Sequence, residues 1–321
     1  MNAQPAPETA PGSVPEPASR PVRTSDPVPA TAHGPRADVP PVSRRDRPRF
    51  GTRERHRELG AAFAGQGADY DRLRPGYPAA ALDAILAAAP AGARDAVDLG
   101  AGTGKLSWAL VDRHLAVTAV DPSTAMLAAA RAARPDADGL ATMVGTAEAT
   151  GLPARSANLV TVAQAWHWFD ADAACREIGR VLRPGGILAL VWNTLDVQVP
   201  WVHRYSRIMH AGDVLKEDFD APPAPGFRVL GRSMHRWEDP RTTHELIDLA
   251  RTRSYVITAP AERRERVLAN LDWYVHEHLG HAPGSTVGVP YRTDVLVLAP
   301  ETGAAPTGRT GTGSTDTGEE P

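Results

Sequence analysis

Val97-Asp98-Leu99-Gly100-Ala101-Gly102-Thr103-Gly104 is the stretch on which the fold turns. Residues 96–99 read as a short buried strand and 106–113 as a helix, so the glycines occupy a strand-to-helix turn. Glycines there let the chain turn tightly and let its backbone approach a ligand with no side chain between. Asp121 stands seventeen residues after Gly104, at the end of the next strand, in Val120-Asp121-Pro122-Ser123. A carboxylate at that place accepts hydrogen bonds from both ribose hydroxyls of an adenosine.

Outward from this turn the pattern alternates. Strands are expected at 115–120, 141–145, 158–163 and 187–192, the last of them wholly apolar and so buried on both faces. Helices are expected at 79–89, with Pro78 at its first position, at 123–133, capped by Ser123, and at 171–182. Arg183-Pro184-Gly185-Gly186 stops the last of these. An earlier helix at 54–64 leads into Tyr70-Asp71-Arg72-Leu73-Arg74-Pro75-Gly76-Tyr77-Pro78, whose prolines break it. Beyond 200 the pattern is weaker: helices at 201–210, 243–251 and 261–278, and strands at 228–237 and 293–299. Strands alternating with helices predict an α/β fold, a doubly wound and mostly parallel sheet with helices on both faces.

Composition narrows the function classes. The chain has 321 residues, 42% apolar and 23% charged, which suits a soluble globular protein. A formal net charge of -3 offers no electrostatic footprint for nucleic acid, and no polybasic cluster suits an anionic membrane. No apolar run reaches the roughly 18 residues that span a bilayer. The first residues lack the charged start and apolar stretch of a secretory signal, and Cys175 is the one cysteine, so a cytoplasmic location is expected.

Twelve of the 30 prolines fall within residues 1–48, which therefore read as a disordered tail. Residues 301–321 are Gly/Thr-rich and read the same way. That leaves one domain at 49–300, with a cofactor-binding core at 96–192 and a substrate-side region at 200–290.

The turn also selects its ligand. Dinucleotide binding asks for Gly-x-Gly-x-x-Gly, and the third glycine would fall where Lys105 stands. Asp98 precedes the turn, and a carboxylate there repels a pyrophosphate but favours a sulfonium that bears an amino group. Asp98-Leu99-Gly100-Ala101-Gly102-Thr103-Gly104 resembles motif I of class I S-adenosylmethionine-dependent methyltransferases. Val120-Asp121-Pro122-Ser123 resembles their ribose motif, and Gly145-Thr146-Ala147-Glu148-Ala149 with Leu152-Pro153 their adenine motif. Leu182-Arg183-Pro184-Gly185-Gly186 is similar to the loop before their fifth strand. Tyr70-Asp71, Arg74-Pro75-Gly76-Tyr77-Pro78 and Ala165-Trp166-His167-Trp168-Phe169-Asp170 resemble the type 11 methyltransferase domain, in the subgroup that includes trans-aconitate methyltransferase-like proteins.

The resemblance spans about 60–299 and implies a Rossmann-like sheet of seven strands with the last one antiparallel. It also implies S-adenosyl-L-methionine as cofactor and a cofactor site of Tyr70, Arg74, Asp98, Gly100, Ala101, Gly102, Gly104, Asp121, Pro122, Met126, Thr146, Ala147, Glu148, Gln164 and Ala165. One position departs from the pattern: many relatives carry Asp where Thr146 stands.

A sulfonium methyl is already electrophilic, so the protein must chiefly align the acceptor and exclude water. His167 follows the fourth strand at the carboxyl end of the sheet and is the one residue singled out as a general base. Trp166 and Trp168 are read mainly as pocket walls, and Arg74 as a partner for the cofactor carboxylate. His276-Glu277-His278 lacks His-Glu-x-x-His spacing, since Gly280 stands where the second histidine belongs, so no metal site is expected. Arg251, Arg253, Arg263, Arg264 and Arg266 read mostly as an exposed face that can meet an acidic substrate.

The expected partner is a small-molecule methyl acceptor that takes the group on oxygen, nitrogen or carbon, the subgroup resemblance pointing towards O-methylation of an acidic metabolite, with the protein a monomer or homodimer. Two other readings stay open: a cofactor-binding regulatory protein without transfer activity, and a nicotinamide-dependent oxidoreductase, against which Lys105 argues.

Overall fold

The computed structural model of the chain describes residues 72–209, 219 and 222–301. The expected helix at 54–64, Tyr70 and both predicted tails, Glu301 excepted, lie outside them. Seven strands form one sheet: β1 (Asp95–Leu99), β2 (Ala116–Asp121), β3 (Leu140–Val144), β4 (Ala157–Ala163), β5 (Leu182–Leu195), β6 (Phe227–Thr242) and β7 (Thr286–Pro300). Their order is β3-β2-β1-β4-β5-β7-β6, parallel from β3 through β5. β7 runs antiparallel to both its neighbours. The predicted architecture holds, including the reversed last strand.

Alternation along the strands sends side chains to two faces. Val97, Leu99, Val160, Val162, Leu188 and Leu190 pack on one face against α4 (Ala171–Val181), which supplies Ala174, Cys175, Ile178 and Val181. Ala96, Val117, Leu159, Ile187, Ala189 and Val191 pack on the other. There they meet α1 (Ala79–Ala88) through Ala81, Leu82 and Ile85, and α2 (Lys105–Val111) through Leu106 and Leu110.

Helix starts follow their caps. Ser123 Oγ accepts from Met126 N–H at the start of α3 (Thr124–Ala132), and an Asp170 carboxylate oxygen accepts from Ala173 N–H at the start of α4. Pro78, expected at the first helical position, sits instead at the N-cap of α1, one place before the helix begins.

Beyond β5 the chain builds a second core. It holds α5 (Pro200–Ile208), α6 (Thr243–Asp248), α7 (Ser254–Ile257) and α8 (Ala261–Trp273). Val202, Tyr205, Leu246, Leu249, Val256, Val267, Leu271 and Tyr274 pack there on Leu195, Val289 and Tyr291 from the far ends of β5 and β7. Leu73, just ahead of α1, is buried in the same core.

Three expectations need correcting. The fifth strand is longer than 187–192: it starts at Leu182, paired with Ala157, and takes in Arg183-Pro184-Gly185-Gly186. The last two strands are much longer than 228–237 and 293–299, pairing continuously to Thr242↔Thr286. Gly288 and Pro290 hid that extension, since a proline gives no ladder donor; here the Pro290 carbonyl accepts from Asp196 N–H. The helix expected at 261–278 is α-helical to Trp273 and ends in a π turn at Tyr274–His278.

Candidate active site

The glycine turn is fastened to β2. Gly100 N–H and Ala101 N–H both donate to the Val120 carbonyl, at 2.8 and 3.2 Å. Asp121, 9% exposed, closes the contact: its Oδ2 accepts from Gly102 N–H at 2.9 Å and its Oδ1 from Ser123 N–H at 2.8 Å. Burial raises the Asp121 pKa, while the Ser123 and Gly102 amides lower it.

Gly100 and Gly102 both have left-handed backbone, with φ of 65° and 56°. A Cβ on Gly100 would lie 2.6 Å from Ala165 Cβ, so only glycine lets the turn after β4 come this close. A Cβ on Gly102 would meet nothing within 4 Å. The backbone there faces open space, the condition for a ligand to approach the main chain.

Asp98 lies beneath the turn and is 1% exposed. Ser107 Oγ of α2 donates to its Oδ2 at 2.6 Å and Thr161 Oγ1 of β4 to its Oδ1 at 2.8 Å. Burial pushes its pKa up to about 6, against the pull of those two hydroxyls. The carboxylate thus joins β1, α2 and β4 under the loop and puts negative potential below it.

The β4 end carries the other wall. Gln164 is left-handed, with φ of 59°; its N–H donates to the Val191 carbonyl at 2.9 Å and its Nε2 to the Asn193 carbonyl at 2.6 Å. Ala165 and Trp166 are buried, and His167 and Trp168 follow in a 3-10 turn with ring centroids 4.9 Å apart. Half-buried His167 and exposed Trp168 therefore stand on the outer part of this turn.

Met126 is 8% exposed and Pro122 is exposed beside the end of β2. Thr146 is exposed and bridges to Ala149, with Ala147 buried between. Glu148 Oε1 accepts from Asp170 N–H at 2.9 Å, so this side chain links the segment after β3 to the start of α4.

Arg74 belongs to a strap, residues 72–77, that runs from the second core into α1. Its Nη2 donates to the Thr252 carbonyl at 2.8 Å, and Arg241 donates to the carbonyls of Arg72 at 2.7 Å and Arg74 at 3.2 Å. Arg253 is 6% exposed, unlike Arg251, Arg263, Arg264 and Arg266, which are exposed. Burial pushes the Tyr291 phenol up to about 12; the charges of Arg253, Arg74 and Arg241 pull it down, and that of Asp239, paired with Arg241 at 2.6 Å, pushes it up. Tyr205 feels Arg253 and Arg241 as well.

The sequence reading missed Ser107, Thr161, Asn193 and Arg241, each of which acts across elements that the chain order separates. The one available signal was a polar residue inside an apolar run, as with Thr161 in β4. His276 Nδ1 contacts the His281 carbonyl at 2.8 Å, and among the described residues no cluster of three His, Cys, Asp or Glu side chains is placed to hold a metal.

The comparisons with known proteins converge. Residues 97–190 match the model of a methyltransferase domain family. An uncharacterized methyltransferase of Mycobacterium tuberculosis is 42% identical over 238 residues, covering 74% of this chain and 95% of that one. A malonyl-[acyl-carrier protein] O-methyltransferase of Methylococcus capsulatus is 36% identical over 161 residues, 48% of this chain and 55% of that one. A solved structure of a type II methyltransferase candidate from Anaeromyxobacter dehalogenans has a TM-score of 0.54 and 26% identity, covering 70% of this chain and 96% of that one. With its sheet order, its glycine turn and a relative matched over nearly its whole length, the chain belongs to the methyltransferase family.

Proposed function

We propose that the protein transfers a methyl group from S-adenosylmethionine to an oxygen of a small acidic metabolite. The observation that carries the cofactor is the Gly102 backbone: it faces open space and is held by Asp121, with the Asp98 carboxylate buried below. Backbone, ribose acceptor and negative potential are what an adenosyl sulfonium with an ammonium group asks of a site.

When bound, S-adenosylmethionine supplies an electrophilic methyl on a sulfonium. The residues assigned to holding it are Gly100, Ala101, Gly102 and Gly104 of the turn, Asp121, Pro122 and Met126 at the end of β2, and Thr146, Ala147 and Glu148 after β3. Gln164 and Ala165 complete the wall after β4. Asp121 takes the ribose hydroxyls on the lone pairs that the Gly102 and Ser123 amides leave. Asp98 acts from below the loop through its charge. Arg74 is assigned the cofactor's carboxylate.

The likeness to a relative named for O-methylation of a malonyl group supports an acidic acceptor. A carboxylate acceptor is ionised at neutral pH and needs no base; a hydroxyl acceptor needs one, and His167 is the group we assign to take that proton. The motifs at 74–78 and 165–170 support the trans-aconitate methyltransferase-like subgroup. We place the protein in the cytoplasm; among the described residues no helix is long and apolar enough to cross a membrane.

The test is transfer of labelled methyl from S-adenosylmethionine into a pool of metabolites. Methylation of a carboxylate gives an ester whose label is released by mild alkali. Alkali-stable label in every product overturns the carboxylate assignment, and no transfer from any pool overturns the activity.

A further inference from the structure

Three side chains from β6, β7 and β5 are linked end to end at the carboxyl end of the sheet, and the turn after β4 joins them at a backbone carbonyl. Trp237 Nε1 of β6 donates to Thr293 Oγ1 of β7 at 2.9 Å, and Thr293 Oγ1 donates to Asn193 Oδ1 of β5 at 2.6 Å. Asn193 Nδ2 donates to the Gly76 carbonyl of the strap at 2.6 Å. Gln164, just past β4, donates to the Asn193 carbonyl at 2.6 Å. Asn193 is 4% exposed and Thr293 is fully buried.

The polarity of this chain is fixed at both ends. An indole N–H only donates, so the Thr293 hydroxyl accepts from it and passes its own proton onward. Asn193 Oδ1 must then accept, which turns Nδ2 towards Gly76, whose carbonyl can only accept. A side chain with one acceptor and one donor in a fixed planar group meets both demands, and a carboxylate meets only the first.

Two parts of the proposed site meet at Asn193, the strap through its side chain and Gln164 through its backbone carbonyl. The strap that carries Arg74 is held at Gly76, one end of a segment that Arg241 grips at the other. Gln164 is held in a left-handed conformation, with φ of 59°, that side-chain-bearing residues rarely adopt. It is followed by Ala165, whose Cβ lies against the Gly100 turn.

We infer that Asn193 is a positioning residue for methyl transfer, fixing the strap and the Gln164 turn relative to each other at the mouth of the crevice. The inference rests on the reading that this crevice holds the adenosyl cofactor.

The test is calorimetric titration of the full chain with S-adenosylhomocysteine, together with hydrogen exchange of the free protein. In Asn193→Asp the carboxylate keeps the Thr293 bond but opposes the Gly76 carbonyl. Affinity is expected to fall tenfold or more at pH 8, with faster exchange at Gly76 and Tyr77. On acidification the carboxyl takes a proton and donates it to the Gly76 carbonyl, so affinity relative to the parent at the same pH recovers. A purely structural role gives no such recovery. Parent-like affinity, or a loss that does not recover towards pH 5, overturns the inference. Should that variant not fold, Asn193→Ala is read by affinity and exchange, with unchanged values overturning it. Asp121→Ala runs alongside: if it too binds like the parent, the crevice reading itself has failed, whereas loss there with none at Asn193 sinks this inference alone.

Discussion

Asp98 holds a carboxyl in a space that gives it two hydroxyl donors and almost no water. Its pKa moves from 3.8 to about 6, and the dominant cause is burial. Between those values the folded chain keeps a proton that the unfolded chain has released. Stability is therefore fullest below about pH 4, falls as the pH rises towards 6 and is level above it, a span on the order of 3 kcal/mol. Asp98→Asn cannot titrate. Its stability relative to the parent is expected to rise across that window, measured by urea unfolding at a series of pH values. Curves that stay parallel would show that the carboxyl titrates normally. Asp121 has a different task, with backbone amides on both oxygens. Asp121→Ala is expected to weaken S-adenosylhomocysteine binding by tenfold to a hundredfold, through the loss of charged hydrogen bonds of about 1.5–3 kcal/mol. Both acids were legible from their places at strand ends. Ser107 and Thr161 were not, because nothing in a linear sequence says which hydroxyls a fold brings onto one carboxylate.

The glycine turn tests an element as a unit, since two of its left-handed glycines, Gly100 and Gly102, differ in what surrounds them. Gly100→Ala adds strain and drives a methyl into Ala165, and is expected to cost about 2 kcal/mol or more of unfolding free energy. Gly102→Ala adds the strain alone, about 1 kcal/mol, because its Cβ enters open space. If that space is where the cofactor lies, Gly102→Ala loses ligand affinity out of proportion to its stability. Equal losses of stability in the two variants would refute the contrast. The strands from β1 to β4 and the apolar centre of β5 were readable because their apolar runs sit between turn signals, whereas the start of β5 lies within one of those signals. The far ends of β6 and β7 were not, because Gly288 and Pro290 break the local pattern and pairing with β6 holds them extended instead. The same locality hid the strap, whose hydrogen bonds to Thr252, Arg241 and Asn193 span 117 to 178 positions of sequence.

At the scale of the molecule the question is what the residues ahead of α1 contribute. Leu73 is 2% exposed in the second core, among Leu195, Tyr205, Leu246 and Tyr291. That core packs on the extended ends of β5 and β7, so Leu73 ties the start of the strap to the substrate-side helices. Leu73→Ala leaves a cavity there and is expected to cost about 2–5 kcal/mol. Because the strap also carries Arg74 and the Gly76 carbonyl, the same variant should weaken S-adenosylhomocysteine binding, although Leu73 need not touch the ligand. Residues 1–48 offer the opposite case: twelve prolines and no apolar periodicity give them little to bury. Their removal is expected to leave the thermal midpoint and the affinity nearly unchanged. Measured together, the two changes place the working boundary of the domain. A fall in both quantities on removing 1–48 would show that the proline-rich segment docks on the enzyme. A Leu73→Ala protein with the parent's midpoint would show that the second core holds without the strap, and that Asn193 and Arg241 carry its placement alone.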